Sequence, residues 1–70
     1  MSIEELAKIA ELLKGQQVIV DMMAGDKFSG VLNSVRVHTG SLEKAIELSD
    51  ENGKGTLVPL KIIQNIEKAE

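Results

Sequence analysis

Seventy residues make one domain near the lower size at which an apolar core sustains a fold unaided, and with no cysteine and one histidine neither disulfides nor a metal cage can supplement it. Eight basic against eleven acidic residues leave a net charge of −3, which argues against wholesale phosphate binding by a basic surface while allowing a local basic patch. The hydrophobic content of 43% is that of a folded chain, and the polar, acidic start MSIEELAK with no long apolar run predicts a soluble, cytoplasmic protein without signal peptide or membrane span.

The first element in chain order is a helix, expected over about residues 2–14. Ser2 and Glu5 have capping-box spacing, and Glu4 and Glu5 suit the positive end of the helix dipole. Leu6, Ile9, Ala10 and Leu13 fall on one stripe, and Lys14 and Gly15 supply a C-terminal charge and a stop. This is a packing helix with nothing catalytic in it.

From Gln17 the period changes to two. Val18, Val20 and Met22 alternate with Gln17, Ile19 and Asp21, as in a strand with one face more buried. The turn AGD follows, where Gly25 can take the positive φ of a short hairpin. A second strand from Lys27 to about Val37 would exceed about 30 Å if straight, too long for a domain this small, so it bends, and Gly30 marks the bend. KAIELS is the third strand and the turn DENGKG leads to the fourth, TLVPL, which ends or turns at Pro59. KIIQNIEK closes the chain as a fifth strand after one tight helical turn. The expected fold is mainly β, a helix followed by five short strands in a small, strongly bent barrel, the barrel occupying about residues 17–68 of one domain spanning 1–70.

The order helix, VIVDMMAGDKFSGVLNSV, turn, LVPLKIIQNIE resembles the Sm and Lsm family, which includes bacterial Hfq, over essentially the whole chain. Val18, Val20, Gly25, Phe28, Gly30 and Leu32 occupy the apolar and glycine positions of that family's first motif. The second motif falls on residues 57–66, with Ile63 and Ile66 as its apolar positions. The resemblance implies a small open Sm-like barrel that assembles into a homo-oligomeric ring, strand four of one copy pairing with strand five of the next. Leu57, Val58, Ile62, Ile63 and Asn65 would then lie at the contact between copies.

The resemblance also implies single-stranded RNA as a partner, but the base-gripping residues depart from the family pattern. Arg36 stands where a loop aspartate is usual, Gly40 replaces the asparagine, and Pro59 and Leu60 stand where arginine and glycine are common. A glycine has no side chain with which to read a base edge, and neither proline nor leucine holds a phosphate by charge. Arg36, His38, Thr39 and Lys61 are the candidates for a residual RNA slot, if the loop after strand two meets the connection between strands four and five as the family's architecture implies. Arginine and histidine stack on bases and lysine holds phosphate.

Other patterns carry less. DENG lacks the rest of a calcium-loop frame, NGKGT lacks the opening glycine of a phosphate loop and leads into a strand, and Asp21 and Asp26 flank a hairpin. No nucleophile–base pair or metal set is offered, so neither an enzyme nor a cofactor, metal, membrane partner or small-molecule substrate is expected. Two readings stand: an Sm-like ring that binds single-stranded RNA weakly, and the same barrel as a structural or protein-binding assembly module with no RNA role.

Overall fold

The computed structural model describes residues 2–37 and 43–69, and its first element is helix α1, Ile3–Leu12. The Ser2 hydroxyl accepts from the Glu5 backbone N–H at 3.1 Å, satisfying one donor left free at the helix start. The Glu5 carboxylate answers by accepting from the same hydroxyl at 3.3 Å. Leu6 and Ala10 are buried, with Ile9 and Leu13 packed beside them, so the expected stripe is the core-facing one. The helix ends at Leu12, short of the expected residue 14, because the chain is already drawn into the sheet: the Gly15 N–H donates to the Leu32 carbonyl at 2.7 Å and the Leu32 N–H to the Gln16 carbonyl at 3.0 Å. Lys14 therefore lies beyond the last turn, and no basic side chain sits in that turn.

Five strands follow: β1 (Gln17–Met22), β2 (Lys27–Val37), β3 (Lys44–Ser49), β4 (Gly55–Pro59) and β5 (Ile63–Lys68), with a single 3-10 turn, Leu60–Ile62, between the last two. They form one antiparallel sheet in the order β4-β3-β2-β1-β5. The chain is thus mainly β, as expected, and the sheet is unclosed: β4 and β5 are its two ends. Val18, Val20 and Met22 point inward, as their alternation requires, and meet Leu32, Ile46, Leu48, Val58, Leu60, Ile63 and Ile66. Helix α1 covers this core with Leu6 and Ala10.

The longest strand serves two neighbours. Residues 27–31 of β2 pair with β1, residues 31–37 pair with β3, and the handover falls at Val31. Gly30 sits immediately before it, buried, opposite Val18 and without a positive φ. A Cβ at this position would lie 2.7 Å from the Ser49 carbonyl oxygen, so the glycine permits a close approach of the end of β3. Two residues past the handover Asn33 is the extra residue of a bulge, where the β2–β3 register shifts, and its side-chain amide donates to the Ser49 hydroxyl. In the β1–β2 hairpin Gly25 has φ 99°, the left-handed conformation the turn demands, and β4 stops at Pro59.

Candidate functional site

Strand register decides what the two ends of the sheet hold. Ala45 of β3 is opposite Arg36 of β2 on one side and Pro59 of β4 on the other, so Arg36, Ala45 and Pro59 form one row across three strands. At about 4.8 Å per strand the outer two are roughly 10 Å apart along the row. Lys61 follows Pro59 by two residues and Glu43 precedes Ala45 by two. The β2 end, the β3 start and the turn after β4 therefore occupy the same end of the sheet, bringing Arg36 and Lys61 to it. His38 and Thr39 lie outside the described residues.

Both of these cations have carboxylate partners. Arg36 Nη1 lies 3.5 Å from Glu47 Oε2, a diagonal neighbour on β3, and Lys61 Nζ lies 2.8 Å from Glu43 Oε1. The Lys61 ammonium donates to that oxygen, tying the 3-10 turn to the start of β3. All four side chains are part-exposed, so the pairs are screened and each contributes at most about 1 kcal/mol. A phosphate can compete for either cation on such terms. Lys44, adjacent to Glu43, adds a third positive charge to the same end.

Apolar surface also gathers beside β4 and the 3-10 turn. Leu57 on β4 is 43% exposed and Ile62 in the 3-10 turn 41%, and with Phe28, Met22 and Leu48 they line a hollow of about 450 Å³. Val58 and Ile63 direct their side chains into the core, so what they offer a neighbour is backbone. Asn65 is half-buried on β5, opposite Asp21 of β1.

Reading the sequence alone missed Glu43 and Glu47, the acidic partners, and the Asn33–Ser49 bond at the bulge. The available signal was the acidic residue inside KAIELS, Glu47, with a second, Glu43, immediately before that strand. The remaining acidic patterns are spent on local structure. The Asp50 carboxylate accepts from the Asn52 and Lys54 N–H groups, both at 2.9 Å, fixing the β3–β4 turn. One Asp21 oxygen faces Lys27 across the β1–β2 ladder at 3.6 Å, an ion-pair distance too long for a hydrogen bond.

No protein-family model matches the chain, and no curated protein matches it. Among the described residues no helix is long and apolar enough to cross a membrane.

Proposed function

We propose that the chain is the repeating unit of an Sm-like homo-oligomeric ring, assembled by pairing β4 of one copy with β5 of the next. The observation that carries this reading is the pair of free edges at the two ends of the sheet, beside which Leu57 and Ile62 expose apolar surface. Open strand edges are normally paired or blunted; β4 carries no charged side chain, and the charges of β5, Glu67 and Lys68, fall at its end. A β4 edge meeting a β5 edge is a head-to-tail contact, and such contacts repeat into a ring when the rotation between copies closes and into an open filament when it does not.

Chain geometry supports a barrel beneath the ring. In a flat sheet β4 and β5 would be four strand spacings apart, roughly 19 Å. Only three residues join Pro59 to Ile63, enough for at most about 14 Å, so the sheet has to roll until its ends approach. Straight, β2 would also exceed about 30 Å, more than the molecule's longest extent of 28 Å. Both lengths support the proposal that the unclosed sheet rolls, with β2 bent and α1 across it, into the small open barrel that the resemblance implies.

Light scattering tests the ring. The wild-type mass is expected to be a multiple of the protomer at micromolar concentration, and Leu57→Glu is expected to lower it without unfolding the domain, because Leu57 lies outside the core. A monomeric wild type refutes the ring.

A second reading, weak binding of single-stranded RNA by the ring, is favoured by one observation: the row that brings Arg36 and Lys61 to one end of the sheet. Repetition around a ring would raise a weak single-site affinity, provided the strand reaches successive sites. Fluorescence anisotropy with oligo-U and oligo-A across a salt series is the test. Binding should prefer single strands over duplex and weaken with salt, and Lys61→Ala should lower the salt slope. Absence of binding at low salt, where attraction is strongest, leaves the assembly module without an RNA role.

A further inference from the structure

Helix α1 and the C-terminal half of β2 are separated by a groove of about 790 Å³ that uses no residue of β4 or β5. Its floor is apolar, made by Ala7, Val35 and Val37. At one end stands Leu12, the last residue of the helix, 79% exposed and the most exposed large apolar side chain among the described residues. The two walls differ in charge. The helix wall carries Glu4 and Glu11 with Lys8 between them, a net negative wall, and the strand wall carries Arg36 and Lys44. Of these two cations Arg36 already has Glu47 beside it.

We infer that this groove is a two-fold contact between two copies of the chain. A contact of that symmetry requires one patch to complement itself, because each copy presents the same residues to the other. This patch meets the requirement twice. It holds both a projecting apolar side chain, Leu12, and the apolar groove that can receive it, and it holds an acidic wall and a basic wall on opposite sides of that groove. Related by a two-fold axis, Leu12 of each copy enters the groove of the other, and each Glu11 wall meets the partner's Lys44 wall. A foreign helix would need to reproduce both features, whereas a second copy supplies them already. The contact is independent of the edge pairing proposed above: copies joined edge to edge would pair ring against ring, and unjoined copies would form a dimer.

The experiment is a mass measurement by light scattering on the full chain over a concentration series, with circular dichroism to verify folding. Leu12→Glu, Glu11→Lys and Lys44→Glu are each expected to halve the wild-type mass. All three positions are exposed, so the fold is retained. Mixing the Glu11→Lys chain with the Lys44→Glu chain is expected to regain the wild-type mass, since each then meets an opposite charge on the other; a rearrangement within one chain cannot produce that recovery. Unchanged masses in the three variants, or no recovery on mixing, overturn the inference. A fall in mass with Leu57→Glu but none with Leu12→Glu retains the ring and removes this contact. Halving with Leu12→Glu in a protein whose mass Leu57→Glu leaves unchanged retains this contact and removes the ring.

Discussion

Replacing Gly30 tests the tightest point of the sheet. The first atom of any side chain there lies 2.7 Å from the Ser49 carbonyl oxygen, with the Ser49 carbonyl carbon at 3.5 Å and the Leu48 Cβ at 3.6 Å. A carbonyl in a paired strand cannot swing aside as a side chain can, so β2 and β3 must separate locally by several tenths of an ångström. Overpacking of this kind costs about 1–3 kcal/mol. The φ of Gly30 is not positive, so no left-handed strain adds to the cost, and Gly30→Ala recovers about 0.4–1 kcal/mol from the stiffer unfolded chain. The net expectation is a loss of about 1–2 kcal/mol for Gly30→Ala and about 2–4 kcal/mol for Gly30→Val, whose two further methyl groups meet the same wall.

Unfolding entropy scales with length at about 2.1 cal/mol/K per residue, so 1 kcal/mol corresponds to roughly 7 °C in a chain of this size. Thermal melts followed by far-UV circular dichroism should therefore place Gly30→Ala about 7–14 °C below wild type and Gly30→Val lower still. Protein concentration must be matched, because association shifts the midpoint. Gly55 supplies the control. The three atoms nearest a Cβ there all belong to the Glu47 side chain, the closest being Oε2 at 3.2 Å, and that side chain can move, so Gly55→Ala should stay within about 0.5 kcal/mol of wild type. A Gly30→Val melt equal to wild type refutes the close approach and, with it, the handover of β2 from β1 to β3.

Ser2→Ala removes the acceptor for the Glu5 N–H and should cost about 1 kcal/mol, read as a melt lowered by roughly 7 °C. Ile46→Ala opens a cavity at a fully buried position and should cost about 2–5 kcal/mol in urea titration, whereas Ile62→Ala in the exposed 3-10 turn should cost well under that; equal losses would mean that Ile46 does not lie in the core. Glu43→Gln removes the negative charge beside Lys61 while keeping an acceptor, and because the pair is part-exposed the stability change should stay below about 1 kcal/mol. Under the RNA reading the same substitution frees a cation and should tighten oligonucleotide binding at low salt, while unchanged or weaker binding would exclude Lys61 as a phosphate contact.

What could be read from the chain, and what could not, divides along local and non-local physics. The cap at Ser2, the stripe of Leu6, Ile9, Ala10 and Leu13, the alternation of Val18, Val20 and Met22 and the stop at Pro59 all follow from a few neighbouring residues, and each appears in the structure. The end of the helix did not follow, because it is fixed by two hydrogen bonds with Leu32, distant in the chain, one donated by the Gly15 N–H and one accepted by the Gln16 carbonyl. Register was equally out of reach: the bulge at Asn33 shifts every later partner of β2, so the meeting of Arg36 with Glu47 depends on one extra residue that no period announces. The edge residues show the same limit in a sharper form. Consecutive isoleucines at 62 and 63 read alike in sequence, yet Ile62 closes a 3-10 turn and faces out while Ile63 opens a strand and faces in. Across that junction the side-chain period changes from three to two, so the direction of each residue depends on where the turn ends. Leu57 and Val58, one residue apart in β4, divide between surface and core for the simpler reason that strand side chains alternate. Any contact made along these edges therefore draws its large apolar side chains from Leu57 and Ile62 and only backbone from Val58 and Ile63, which is why charge at Leu57 tests assembly, whereas charge at Ile63 would test only the core.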